Sequence, residues 1–179
     1  MILDAIWQDP ESNKEKLRLA RSRIATNRHM WVRNGLSQFK VTKQIEFCYG
    51  HRLLEYDGKC KHLHGHNGLL EIEVGADSLD SLGMVIDFGE IKDIVKKWVD
   101  DNMDHKMILS KDDPILGMLN DINEPVYVLD GNPTAENIAR QIHVEARKAG
   151  LDILEIRLWE TPSSFATYSS ANNSGHSSE

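Results

Sequence analysis

From Phe39 the chain alternates apolar with polar residues: Val41, Ile45, Phe47 and Tyr49 share one side, and Thr42, Gln44 and Glu46 share the other. A period of two marks a half-buried strand. After the turn residues Tyr56-Asp57-Gly58, a second alternation sets Leu70, Ile72 and Val74 against Glu71 and Glu73, and the two stretches are expected to pair as a long hairpin. The period then changes. Asp87 precedes a run in which Ile91, Ile94, Val95, Trp98 and Val99 recur at helical spacing, with Glu90 three residues after the aspartate as in a capping box. A second helix is expected to open at Asn132-Pro133-Thr134, where Asn can cap and Pro suits the first turn. It runs through Ala135, Ile138, Ala139, Ile142 and Ala146 to Gly150. From Asp152 to Thr161 alternation returns, with Leu154, Ile156 and Leu158 on one side, and a turn at Pro162-Ser163-Ser164 leads to a short strand over Phe165 to Ser169. The expected order is two strands, two helices and two strands.

The ends read differently. Residues 1–38 form an N-terminal extension in which Pro10 to Ile24 reads as a Lys- and Arg-rich helix with a partial apolar stripe, Leu17, Leu19, Ala20 and Ile24. Residues 171–179 are too polar to order themselves. One domain is left, over residues 39–170. With 179 residues and a hydrophobic fraction of 40%, the chain can bury a real core. It has no run of roughly 18 apolar residues and no basic-then-apolar leader at its start, so a cytoplasmic protein that does not enter a membrane is expected. The net charge of −7 supplies no positive field for a phosphate backbone, which argues against a nucleic-acid partner. Cys48 and Cys60 are expected to stay reduced.

The histidines carry the candidate chemistry. Five of the eight lie between His51 and His105, and His51, His64 and His66 fall at the adjoining ends of the expected hairpin. Residues two apart on a strand face the same way, so His64 and His66 can converge with His51 across the strand pair. Three neutral imidazoles suit zinc, and a three-ligand site leaves a fourth position for water or substrate, whereas a structural zinc would be closed by four protein ligands. His62 shares their parity, but a turn before the strand can swing it away. A divalent ion nearby favours a thiolate, making Cys60 a candidate general base; as a fourth zinc ligand it would close the site instead. Cys48, opposite in phase to Phe47 and Tyr49, reads as a small packed residue. Asp104-His105 closes the first helix either as a dipole contact or as a carboxylate–imidazole pair able to relay a proton. Glu160 falls on the apolar side with Leu154, Ile156 and Leu158, where its charge needs a partner: an internal Arg or Lys, or a two-donor edge such as a pterin or guanine ring presents.

These residues, in this order, resemble the pyruvoyl- and carboxy-tetrahydropterin synthases of the tunnelling-fold group. The resemblance rests on Phe47-Cys48-Tyr49-Gly50-His51-Arg52-Leu53, Cys60-Lys61-His62-Leu63-His64-Gly65-His66-Asn67, Val85-Ile86-Asp87-Phe88, Asp104-His105, Asn132-Pro133-Thr134-Ala135-Glu136-Asn137 and Trp159-Glu160-Thr161-Pro162. It implies an α+β ββααββ T-fold, an antiparallel four-stranded sheet with two helices on one face, closed into a barrel by trimers that stack as hexamers with active sites between subunits. It also implies that His51, His64 and His66 bind zinc, that Cys60 removes a substrate proton, and that Asp104 and His105 assist protonation. Glu160 would anchor a pterin ring, with Thr134 and Glu136 near the substrate. Three residues separate Cys60 from His64, the spacing of enzymes similar to 6-carboxytetrahydropterin synthase of the queuosine route; biopterin-route enzymes usually have five. The implied reaction starts from 7,8-dihydroneopterin triphosphate and releases triphosphate and acetaldehyde. A T-fold module that binds a pterin or purine without turnover is the rival expectation.

Overall fold

The computed structural model describes residues 37–169, so the basic helix expected between Pro10 and Ile24 and the tail over 171–179 lie outside the described residues. Strands β1 (Phe39–His51) and β2 (His64–Ala76) pair antiparallel along their whole length, from Phe39 opposite Ala76 to His51 opposite His64. The alternation fixes that register: Ile45, Phe47 and Tyr49 turn inward with Leu70, Ile72 and Val74, and a slip of one residue would turn one strand's three to the outer face. On the other face Gln44 donates to Glu71 at 2.9 Å and Arg157 reaches the same carboxylate at 3.2 Å.

The sheet is wider than expected. Two short strands, β3 (Lys106–Ser110) and β4 (Val126–Leu129), lie parallel on the β1 side, while β5 (Ile153–Thr161) and β6 (Ser164–Ser169) continue antiparallel on the β2 side. The order is β4-β3-β1-β2-β5-β6, a mixed six-stranded sheet in place of the antiparallel four-stranded one. The added strands carry no period-two signal. Ile108, Leu109 and Ser110 are all buried, and a strand covered on both sides does not alternate.

Helix α1 spans 88–102, with a π-helical middle, Lys92–Lys96, between α-helical ends. Asp87 caps it by accepting from the Gly89 N–H at 2.7 Å, two residues on, in place of the reciprocal box with Glu90. The short α2 (Leu116–Asp121) buries nothing. Helix α3 (Ala135–Lys148) is capped by Thr134, whose hydroxyl accepts from the Asn137 N–H at 3.3 Å; Asn132, the expected cap, is occupied elsewhere. Ile91, Val95 and Val99 of α1 and Ile138, Ala139 and Ile142 of α3 enter one apolar cluster with the inward face of the sheet. Both helices therefore cover the same face.

Strand β5 is irregular at two points. Glu73 pairs with Glu155 and Val74 with Ile153, so Leu154 bulges out and Ile153 takes the core position expected for Leu154. The displaced Leu154 lies over Gly75, where a Cβ would sit 2.4 Å from its Cδ1. The second shift, between Trp159 and Thr161 against β6, falls at Glu160.

Candidate active site

The register of β1 and β2 sets Tyr49 opposite His66 and His51 opposite His64, so the three histidines meet where the hairpin opens. His51 is buried, and its Nε2 stands 3.0 Å from the Nε2 of His64 and 3.2 Å from that of His66. Each ring is held from behind. The Nδ1 atoms lie 2.7 Å from the Pro133 carbonyl for His51, 2.8 Å from the His62 carbonyl for His64 and 3.1 Å from the Glu160 carbonyl for His66. A carbonyl only accepts, so each Nδ1 carries the hydrogen and each Nε2 turns a lone pair toward the common centre. Three lone pairs at such distances repel unless a cation lies between them. Ligands about 2.0–2.1 Å from a tetrahedral ion stand about 3.3 Å from one another, close to the spacing here. The donor set thus fits a metal ion bound by three imidazoles, each oriented by a backbone carbonyl. Burial lowers the pKa of His51, the other two rings add to it, and the Pro133 carbonyl and Glu160 work against it. His62 is exposed and serves through its carbonyl alone.

Glu160 comes to this centre from the bulge in β5. Its Oε1 accepts from the Tyr49 hydroxyl at 3.1 Å and stands 3.8 Å from the His51 Nε2. Burial, then the charge and hydrogen bond of Glu160, push the Tyr49 phenol far above its ordinary value, so Tyr49 stays a neutral donor. No internal Arg or Lys takes the Glu160 carboxylate among the described residues. His64, His66, Tyr49, Glu160 and Trp159 line one open groove, and His105 and Cys48 line it too.

The proton-moving candidates are placed otherwise. Asp104 and His105 form a pair, with Oδ2 2.9 Å from Nδ1, on the turn between α1 and β3. His105 is exposed and takes a positive φ of 55°. This pair is docked on Cys48: the Cys48 N–H donates to Asp104 Oδ1 at 2.8 Å, and the His105 N–H donates to the Cys48 carbonyl at 2.7 Å. Burial works to raise the Asp104 carboxyl, yet the Cys48 N–H and the His105 ring hold it below the usual carboxylate range. The polar surroundings of Cys48 correct its reading as a mere packing residue. Cys60 lies on a separate 3-10 turn, Lys59–Lys61, where its carbonyl accepts from the Leu53 N–H at 2.8 Å; it does not line the groove. Both cysteines are free. Thr134 and the exposed Glu136 open α3, and neither lines the groove.

Three supports were not visible as such in the sequence. Asn132 clamps the loop after β1, accepting from the Leu54 N–H at 2.7 Å and donating to the Leu54 carbonyl at 2.9 Å, while its neighbour Pro133 orients His51. Arg52 grips the buried Asp113 through both carboxylate oxygens, and that grip holds the Asp113 carboxyl below its usual range. Tyr49 carries only the parity of its strand as a signal, two residues before His51.

Comparison with known proteins agrees with this geometry. The chain is 44% identical over 133 residues to the 6-carboxy-5,6,7,8-tetrahydropterin synthase of Rickettsia conorii, which takes in 70% of this chain and 96% of that protein. In structure it is similar to an uncharacterized protein of Wolinella succinogenes (TM-score 0.62, 24% identity, 73% of this chain and 97% of that one). It is also similar to the 6-pyruvoyl tetrahydropterin synthase of Caenorhabditis elegans (TM-score 0.55, 21% identity, 76% and 99%). Residues 40–171 match the family model described as 6-pyruvoyl tetrahydropterin synthase, and the chain belongs to that family.

Proposed function

We propose that this protein is a zinc-dependent lyase that converts 7,8-dihydroneopterin triphosphate to 6-carboxy-5,6,7,8-tetrahydropterin, releasing triphosphate and acetaldehyde, in the cytoplasmic route to 7-deazaguanines such as queuosine. The observation that carries it is the convergence of the three Nε2 atoms beside the Glu160 carboxylate, on a groove lined by His64, His66 and Glu160. The 44% identity to a carboxy-branch enzyme and the three-residue gap between Cys60 and His64 favour that branch over the pyruvoyl one.

His51, His64 and His66 would hold the zinc. When bound there, zinc supplies a Lewis acid that makes the side-chain hydroxyls of the substrate easier to deprotonate. Glu160 receives the two-donor edge of the pterin ring. Tyr49 occupies one lone pair of Oε1 and fixes the plane of the carboxylate, leaving Oε2 and the other lone pair for the ring. Cys60 takes a proton from the substrate side chain, and His105, oriented by Asp104, returns one. Thr134 keeps its own O–H to donate while its oxygen caps α3, and Glu136 is exposed at the same helix start; both are assigned to substrate contact. Because Cys60 does not line the groove that His105 lines, the complete site is assigned to the interface of a homo-oligomer, a trimer or hexamer whose sheets join in a barrel. Among the described residues the sheet ends in strands β4 and β6, whose outer edges such a barrel would use.

The test is chromatography of the products from dihydroneopterin triphosphate with an acetaldehyde assay, using zinc-loaded protein and no added redox cofactor. Equal amounts of 6-carboxytetrahydropterin and acetaldehyde are expected. A 6-pyruvoyl product without acetaldehyde moves the chain to the other branch, and failure to release triphosphate makes it a binding module.

A further inference from the structure

We propose a second metal site, formed by Cys48, Asp104 and His105 and separate from the three-histidine centre, which takes a thiophilic divalent cation and in doing so withdraws the Asp104-His105 pair. One ligand atom from each of the three residues lies within 4.8 Å of the others. Two backbone hydrogen bonds hold the cluster together: Cys48 N–H to Asp104 Oδ1 at 2.8 Å, and His105 N–H to Cys48 carbonyl at 2.7 Å. The Cys48 backbone on β1 therefore holds both Asp104 and His105 beside the thiol, and the imidazole is oriented by Asp104 Oδ2 at 2.9 Å. The thiol is also directed: Cys48 Sγ donates to Asn67 Oδ1, its cross-strand partner, at 3.2 Å.

This cluster is distinct from the first centre. Cys48 and Asn67 project on the opposite face of the sheet from Tyr49 and His66, by the alternation of paired strands. Both faces reach the same groove, whose lining includes Cys48, Asn67 and His105. The donor set selects the ion class. One sulfur, one imidazole nitrogen and one carboxylate oxygen suit zinc or cadmium and disfavour magnesium and calcium, which require oxygen ligands. Three protein ligands with an exposed histidine make a site that fills when the ion is in excess, not a closed structural one. On ligation the thiol gives up its proton to solvent and His105 supplies a nitrogen lone pair to the ion, so the pair can no longer pass protons. That consequence rests on the role assigned to Asp104 and His105 above; the existence of the site does not.

The experiment titrates the full-length, zinc-loaded protein with cadmium chloride and follows the ultraviolet thiolate-to-cadmium band, together with cadmium bound per chain. Wild type and Cys60→Ser should both give the band. Cys48→Ser should lose it and bind about one equivalent less cadmium, and His105→Asn, an exposed substitution that spares the strand, should weaken binding by on the order of tenfold or more. A band that survives Cys48→Ser, or that disappears in Cys60→Ser while persisting in Cys48→Ser, overturns the site. In the activity assay excess zinc should slow wild type and leave Cys48→Ser at its basal rate. A band that follows Cys48 without any slowing contradicts the proton role of Asp104-His105 and leaves the site standing.

Discussion

The three-histidine centre and the residues proposed to move protons are built in opposite ways. His51, His64 and His66 stand on two central strands whose register is set by six buried side chains, and each ring is tied to a backbone carbonyl. Cys60, Asp104 and His105 stand on turns, and Thr134 and Glu136 on the first residues of a helix. A single chain brings the first set to one point, whereas Cys60 does not line the groove that His105 lines. Groups that must hold an ion rigidly gain from a sheet, where small displacements are resisted by the whole core. The residues proposed to act across a boundary between chains stand on pinned turns: Leu53 holds the Cys60 turn and Cys48 holds the Asp104-His105 turn.

The strongest way to break this contrast is to remove one strand-borne ligand. His66→Ala should lose most of the bound zinc, measured by elemental analysis, and take turnover below detection while the β1–β2 hairpin persists in circular dichroism, because two imidazoles hold the ion poorly. Full metal content in that variant would separate the geometry from metal binding. Next in size, Cys60→Ala should reduce kcat by about 10²–10⁴-fold with zinc content unchanged, whereas Cys48→Ala keeps its basal rate. Loss of zinc in Cys60→Ala would make Cys60 a ligand. Smaller again, Glu160→Gln should weaken product pterin binding by about 2–4 kcal/mol in calorimetry, since an amide offers one acceptor and no charge to a two-donor edge. Unchanged affinity would place the ring elsewhere.

The sequence made the strand-borne half legible and the rest only in outline. Parity alone brought His51 to His64 and His66, and the helical stripes Ile91, Val95, Val99 and Ile138, Ile142 are the buried ones. What it concealed has physical causes. The five-residue strand Lys106–Ser110, whose last three residues are all buried, has no period to read, so the mixed six-stranded sheet of the described residues was not visible. A bulge at Leu154 is a register event between strands, invisible in one of them. The Asn132 side chain looks like a cap by its neighbours Pro133 and Thr134, yet it reaches 78 residues back to Leu54. The polar surroundings of Cys48 likewise come from Asp104, 56 residues away.

The least effect is expected at a distance from the groove. His143 is buried on α3 beside Tyr168, its ring centroid 5.0 Å from that of the tyrosine, and its Nε2 has no partner among the described residues. Burial pushes its pKa down, the Arg147 charge adds to this, and the Ile153 carbonyl opposes it. The fold holds the neutral ring, so the associated stability is present above the ordinary histidine value of about 6.5 and is lost as pH falls below it toward the depressed native value. In zinc-loaded protein, His143→Leu should give a flatter decline of urea midpoint between about pH 6.5 and 5 than wild type. Parallel slopes would remove His143 from the account.

The central claim, that the three histidines hold the metal on which pterin chemistry depends, is met most directly by stripping the protein with a chelator and returning zinc in steps while triphosphate and acetaldehyde are measured. Both products should rise together and level off at about one zinc per chain, and His64→Ala should give neither at any of these steps. Full turnover in the stripped protein, or recovery in His64→Ala equal to wild type, would contradict it.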